Sequence, residues 1–401
     1  MSILSRLFGG NKGISIERDR TGNWSYWLDN SFTGCSKDYL KWSLEHPVLF
    51  PILSLRAKMV SQAKILHLDD NDVEIKNSDV LKLLKNPNYF QSQQDFIFQM
   101  VYFMGSNGGN YTYTPTASNL ILPKQIYNLV PNQIDTNKIE EIDTFFKSES
   151  EFKEFGKRRI KYNLNGKDIP IEIRNIIPMY DVANGLVSNS WLTSPSRVKA
   201  IEVPLLNIEE LLKSKNINAK MSQKYLATSQ DQFNGASVPM QAEDKDSVKR
   251  VLKKESLHVT NGNVKVEHLV NNLKNLALDP QISAESQICL LNFGLNNDVL
   301  NFFAGGSSTF ENQEKGEIRA YQNEIQSIAD NIANSLTSGL NIKGRLVFSF
   351  EHLPIMQKVL ADKVDSFKSL QEAIKVSLEN QTITPAQAIE MTKQYLNRIK
   401  L

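Results

Sequence analysis

The 401-residue sequence has little of what usually announces a function. Cysteine is scarce: Cys35 and Cys289 are the two present. They cannot form a disulfide framework, which fits a reducing compartment. No unbroken apolar run of ~20 residues exists, so no membrane-spanning helix is encoded. The N-terminal stretch Met1-Ser2-Ile3-Leu4-Ser5-Arg6-Leu7-Phe8-Gly9-Gly10 has too short an apolar part for a secretory signal and lacks a cleavage site. It reads as an unanchored tail. The five histidines, His46, His67, His258, His268 and His352, include no helical i,i+4 pair and none sits beside a cysteine, so no zinc site is readable. His258 and His268 can face each other across an Asn261-Gly262 turn, where cross-strand packing is the expected role.

Catalytic signatures are missing too. There is no Gly-x-Ser-x-Gly elbow, and neither cysteine has a local histidine. Cys289 falls on the apolar face of a predicted helix, as a small buried hydrophobe would. The two Gly-rich loops, Gly105-Ser106-Asn107-Gly108-Gly109 and Ala304-Gly305-Gly306-Ser307-Ser308, lack the lysine of a Walker A loop. The first also follows a helix, the reverse of the order in a phosphate cradle. Carboxylates are scattered without a spaced pair. No active site, metal site or cofactor site is legible, and no cofactor is expected.

A strong charge of one sign is also lacking: the formal net charge is +2. Proteins that grip duplex nucleic acid usually carry a strongly basic face, because each neutralised phosphate adds to affinity. Near-neutrality argues against tight, non-specific clamping by the whole chain. The densest basic cluster, Lys245, Lys249, Arg250, Lys253 and Lys254, is interleaved with Glu243, Asp244, Asp246 and Glu255. A solvated helix face is the default reading, and contact with phosphate or an acidic partner the alternative.

What is present is core-forming material, 41% of the residues being apolar. Residues 1–37 read as an irregular arm with an embedded strand. From about 38 to 105 the pattern is helical, with Leu49, Ile52, Leu53, Leu55, Met59 and Val60 in a dense apolar stretch, a helix at Asp79–Leu84, and one at Ser92–Met104 whose inner face is Phe96, Ile97, Met100, Val101 and Met104. Strands follow near 110–114, 125–130, 159–164 and 169–182, with Lys138–Arg158 as a solvated hairpin or loop excursion. From Ser194-Pro195 the chain turns helical, Pro204 kinking that helix or starting a second one that runs to about Thr228. A polar loop, a short charged helix and an Asn261-Gly262 hairpin come next. Ser283–Phe293 is apolar and helical.

Then comes the most informative stretch, Phe302-Phe303-Ala304-Gly305-Gly306-Ser307-Ser308-Thr309-Phe310-Glu311-Asn312-Gln313-Glu314. It sets a small-residue loop ahead of a long amphipathic helix lined by Ile318, Tyr321, Ile325, Ile328, Ile332 and Leu336, with Ser308 or Thr309 as N-cap. A strand at Arg345–Phe350 and helices at about 354–378 and 385–399 complete the chain, the last with Thr384 as N-cap and Pro385 at its first position.

The order of these pieces resembles the phage portal protein family, specifically the small portals of tailed phages with a lambdoid-type capsid. Leu83-Leu84-Lys85-Asn86-Pro87-Asn88 is similar to the family's leucines and Pro-Asn turn, Gly109-Asn110-Tyr111 to its Gly-Asn-Ala-Tyr strand start, and Leu129-Val130-Pro131 to the strand end that follows. Ser194-Pro195 resembles the opening of its stem helix, and Thr309-Phe310-Glu311-Asn312-Gln313-Glu314 the stretch ahead of its tunnel-side helix. The sequence departs from the pattern at Leu192, where a glycine is usual, and at Ile176-Ile177-Pro178-Met179-Tyr180, which replaces a His-rich strand. The loop at 303–308 differs as well.

The resemblance implies an α+β, portal-like architecture: an N-terminal arm (1–37), an α/β wing (38–193), a stem helix (194–228), a small β-containing clip (229–278), a second stem helix (279–300), a tunnel loop with its long helix (301–337), a wing-completing strand (338–352) and a helical crown (353–401). It implies a structural, non-enzymatic subunit of a dodecameric ring at one capsid vertex. Double-stranded DNA would pass through the channel during packaging and ejection. Terminase large subunit, major capsid protein and a head-tail adaptor would be the partners, the virion the location, and the host cytoplasm the place of assembly. Phe303, Gly305, Gly306, Ser307, Ser308 and Thr309 would border the DNA channel, and Lys245, Lys249, Arg250 and Lys253 would dock clip partners. The residues agree on one physical point: an uncharged, small loop can line a passage without holding phosphate. Two other readings stay open. One is a nucleic-acid-processing enzyme with an unrecognised metal site, which would need clustered carboxylates. The other is a monomeric adaptor, which would leave apolar faces without a partner.

Overall fold

The computed structural model describes residues 38–115, 122–135, 148–184, 192–221, 278–296, 298–299, 310–380 and 382–399, with strand segments at 14–18, 24–28, 225–229, 232–233, 236–237 and 264–268. Strands β1 (Ile14–Arg18) and β2 (Trp24–Leu28) pair antiparallel, two strands where the sequence suggested one.

Helix α1 (Tyr39–Glu45) opens under Asp38, whose carboxylate accepts the Lys41 N–H at 2.9 Å. Helix α2 (Leu49–Ser61) has no side-chain cap of the usual kind. Instead His46 Nδ1 accepts the N–H groups of Val48 and Leu49 at 3.2 and 3.1 Å. Its apolar stripe, Leu49, Ile52, Leu53, Ala57 and Val60, is buried. Strand β3 (Lys64–Leu68) falls where the sequence read as helix throughout. Its Ile65 and His67 turn inward while Lys64 stays exposed, a two-residue period too short to stand out among helical neighbours. Helices α3 (Asp79–Lys85) and α4 (Gln93–Asn107) follow, α4 behind a Ser92–Asp95 capping box. All five inner-face residues expected for α4 are buried.

The layer after α4 is built from β4 (Gly109–Tyr113), β5 (Tyr127–Leu129), β6 (Ile134–Asp135), helix α5 (Glu149–Gly156), β7 (Arg159–Leu164), β8 (Lys167–Glu172) and β9 (Ile176–Tyr180). One antiparallel sheet has the order β5-β4-β9 and a second β6-β7-β8. Between β7 and β8 the chain reverses on Asn165-Gly166, both at positive φ, the residues that a tight hairpin turn favours. Helix α5 lies inside the excursion read as solvated hairpin or loop. A Ser148 cap and a Glu149–Lys153 pair support it, although it buries no side chain completely.

Helices α6 (Arg197–Ala200) and α7 (Glu202–Met221) come next, Pro204 lying in the first turn of the second, where proline is tolerated. The helix expected to reach about 228 stops at Met221. Tyr225–Ser229, with Tyr225 and Thr228 as its β-favouring residues, is strand β10, while β11 (Gln232–Phe233) pairs with β12 (Ala236–Ser237). Strand β13 (Val264–His268), expected in the Asn-Gly hairpin, pairs antiparallel with β10. The other hairpin arm, 257–260, lies outside the described residues.

Helix α8 (Leu278–Asn292) runs back alongside α7. Then one helical run from 310 to 339 divides into α9 (Phe310–Ala320), a π-helical turn at Tyr321–Ile325, and α10 (Gln326–Gly339). Strand β14 (Arg345–Ser349) returns to pair with β3. Helices α11 (Pro354–Glu379) and α12 (Pro385–Ile399) form a hairpin in which Phe367 stacks on Tyr395 at 5.9 Å. Thr384 and Gln387 cap α12 reciprocally: Gln387 N donates to Thr384 Oγ1 at 3.3 Å, and Thr384 N to Gln387 Oε1 at 2.9 Å. The main core joins α2, α4, α7, α8 and the long helical run, and a smaller one fills the β6-β7-β8 side around Ile134, Ile160 and Ile171.

Candidate functional site

The feature that draws the elements together is a ring of four charges in the main core. Arg56 stands in the apolar stripe of α2, one turn beyond Ile52 and one before Val60, and is completely buried. Its Nη2 donates to Asp181, which follows β9, and to Glu324 Oε1 at 2.6 Å. Arg197 of α6 closes the ring, with Nη1 2.9 Å from Glu324 Oε1 and Nε 3.1 Å from Asp181 Oδ2. Both are ion-pair contacts rather than hydrogen bonds. Each arginine touches both acids, so two positive and two negative charges alternate and balance. An unbalanced buried charge would cost several kcal/mol, whereas neutrality within the ring makes burial tolerable. For Arg56, burial alone lowers the pKa. The charge and hydrogen bond of Asp181, followed by those of Glu324, outweigh that and hold it above the ordinary arginine value.

The surroundings are shaped to the ring. Phe293, at the end of α8, lies under the Arg56 guanidinium at 5.5 Å. A Cβ on Gly105 would sit 3.1 Å from Arg56 Nη1, and one on Gly294 (φ +67°) would sit 2.8 Å from Glu324 Oε2. Gly108 ends α4 at φ +86° and admits the Ser194-Pro195 backbone, with Ser194 O 2.6 Å from where its Cβ would be. Ser194 Oγ then donates to Val182 O at 2.7 Å and Ser196 Oγ to Ser106 O at 2.6 Å. The Ser-Pro segment is thereby fixed to the end of α4 just ahead of Arg197.

From α6 and then along α7 against α8, Arg197 Nη1 reaches Asn292 O, Asn207 reaches Glu285, and Lys215 reaches Asp279, the sequence of contacts expected of an antiparallel pairing. Leu205, Ile208, Ile282, Cys289 and Leu290 fill the space between and around them. Cys289 is buried as expected, its thiol pushed up to about 12 by burial and then by the Glu285 charge, so it packs as an inert hydrophobe. The opposite faces are uncovered in the single chain: Val203 and Leu206 on α7, Ile288 and Leu291 on α8, with Leu291 70% exposed.

The sequence-predicted channel residues Phe303, Gly305, Gly306, Ser307, Ser308 and Thr309 lie outside the described residues, as do the caps expected for the long helix. Their two flanks are described. A Cβ on Gly316 of α9 would lie 2.9 Å from Asp298 Cβ and 3.0 Å from Asn296 Oδ1, so the outgoing flank packs against the helix that receives the returning one. Lys245, Lys249, Arg250 and Lys253 also lie outside the described residues. None of the charge-ring residues was singled out from sequence. The signal was available for one: Arg56 interrupts an apolar face at helical spacing, where a charge calls for a partner. Among the described residues, no group of three or more His, Cys, Asp or Glu side chains is placed to hold a metal ion. Nor is any helix among them long and apolar enough to cross a membrane. An open depression beside Tyr113 is edged by Arg159 and Arg174, both paired with Glu172.

Neither a protein-family model nor a curated relative matches the sequence. Solved structures do match in fold. A chain in the neck of a native GTA particle, computed with C12 symmetry, superposes with a TM-score of 0.61 at 11% identity, covering 89% of this chain and 93% of that one. A chain in the neck of an empty GTA particle, computed with C6 symmetry, gives 0.63 at 12% identity over 84% and 90%. A third, in the virion of a native gene transfer agent particle, gives 0.61 at 12% identity over 82% and 88%. The fold is common to all three, and it is mixed helix and sheet.

Proposed function

We propose that this chain is the repeating subunit of a phage-type portal, a closed ring at one capsid vertex through which double-stranded DNA enters and leaves. The observation that carries this reading is the fold it shares, over nearly the full length of both chains, with a neck subunit from a C12-symmetric reconstruction. Two further features support it. The portal-like order of motifs runs along the same chain, and the α7–α8 pair carries uncovered apolar side chains that a head-to-tail ring would cover. The role is structural, and ATP hydrolysis belongs to the terminase.

In this reading α7 and α8 are the stem, β10–β13 belong to the clip, and α11–α12 form the crown. The loop carrying Phe303, Gly305, Gly306, Ser307, Ser308 and Thr309 faces the DNA. Lys245, Lys249, Arg250 and Lys253 meet terminase large subunit or the head-tail adaptor, and major capsid protein surrounds the wing.

The test is the mass and symmetry of the purified protein, by light scattering and then electron-microscope class averages. A closed ring, twelvefold with a central hole of duplex width, is the expected result. A stable monomer that cleaves DNA on addition of a divalent metal would overturn the reading.

A further inference from the structure

The long helical run from 310 to 339 is interrupted at one place, the π-helical turn Tyr321–Ile325. A π turn holds one surplus residue within an α-helix, and such turns persist where surrounding contacts fix them. Here the fixing contacts are specific. Glu324 lies within the turn, and its Oε1 is gripped by Arg56 from α2 and by Arg197 from α6. Gly294 has no side chain where one would strike that carboxylate. Tyr321, the first residue of the turn, donates to Gln62 Oε1 at 3.2 Å and packs on Phe350 at 5.2 Å. Upstream of the turn, the contacts of α9 are more peripheral: Glu314 pairs with Lys358 of α11 at 2.6 Å, with Lys358 63% exposed.

We propose that the Arg56–Asp181–Arg197–Glu324 ring is a latch that holds the surplus residue in the π turn and so sets the rotational position of α9. With Glu324 released, the surplus residue passes into regular α-helix. That shifts α9 by about one residue, which is about 1.5 Å along its axis and about 100° around it. Asn296 and Asp298 pack on α9 at Gly316, so their contacts with the helix change with that shift. Arg197 and Glu324 are the ring members with some solvent contact, at 22% and 13% of their side chains, so the ring opens from their side. The inference concerns this chain alone and does not depend on the portal reading.

The test uses the full chain in a Cys35→Ser background, with spin labels at Gln313→Cys on α9 and Asp362→Cys on α11, diluted into unlabelled protein so that distances within one chain are read. Parent and Arg197→Lys, which keeps the charge, should give one narrow distance distribution. Arg197→Met and Glu324→Gln should add a second population displaced by several ångströms. Thermal melts followed by circular dichroism accompany each variant. An unchanged single distance in both charge-removing variants would overturn the latch. Loss of the whole cooperative melt in both would also overturn it, because the ring would then hold the fold rather than the position of the helix.

Discussion

Arg56 is the residue on which most of the core electrostatics turns. Replacing it with methionine, similar in length but uncharged, leaves Asp181 and Glu324 sharing Arg197 in a nearly dry site. Removing one partner from a buried ion pair costs about 3–5 kcal/mol, so Arg56→Met should lower the urea midpoint by that equivalent with the slope unchanged. His46 acts by a different route. Its Nδ1 accepts two backbone N–H groups at the start of α2, which leaves the proton on Nε2, 3.1 Å from Leu205 O. Burial depresses its pKa below the ordinary 6.5, partly offset by the Leu205 carbonyl and the Glu209 charge. A histidine with a depressed folded-state pKa binds its proton more readily when unfolded. Its contribution is therefore complete above 6.5 and is lost as the pH falls from there to the folded-state value. His46→Asn keeps an acceptor for α2 and removes the titration. The drop in melting temperature between about pH 7.5 and about pH 5 should be smaller in that variant than in the parent.

Helices and strands show where sequence was informative and where it was not. Helix α4 was legible because a capping serine, an apolar face of three- and four-residue steps and a glycine stop all point the same way. Helix α12 was legible down to its Thr384 cap and leading Pro385. Strand β3 was not, because five residues of alternation inside a helical neighbourhood give a weak signal. Its partner β14 lies more than two-thirds of the chain away, so no local pattern could announce the pairing. The charge ring was unreadable for the same reason: residues 56, 181, 197 and 324 share nothing in sequence, and only Arg56 stands out on its own helix. Gly108 offers a test at this scale. Its φ of +86° and the 2.6 Å approach of Ser194 O leave no room for a methyl group, so Gly108→Ala strains the backbone and pushes α4 away from the Ser194-Pro195 segment. A loss of about 1–3 kcal/mol is expected by chemical denaturation, with increased hydrogen exchange at 194–200.

For the whole molecule, the ring proposed above makes the uncovered side chains of the α7–α8 pair an assembly surface distinct from the folding core. Ile288 and Leu291 touch solvent in the single chain, so the double change Ile288→Glu with Leu291→Glu should leave the melting temperature of the isolated subunit within a few degrees. It should abolish the ring peak in light scattering, since charge would have to be buried at each subunit contact. The pairing of β3 with β14 has a consequence in time rather than space. During translation β3 emerges early, yet its partner strand appears only after Ser349 has left the ribosome. Until then the nascent chain carries an unpaired strand edge, the kind of surface that recruits the wrong neighbour. The order of synthesis thus leaves the β3 edge open until most of the molecule has been made, although β3 itself is among the first elements to emerge.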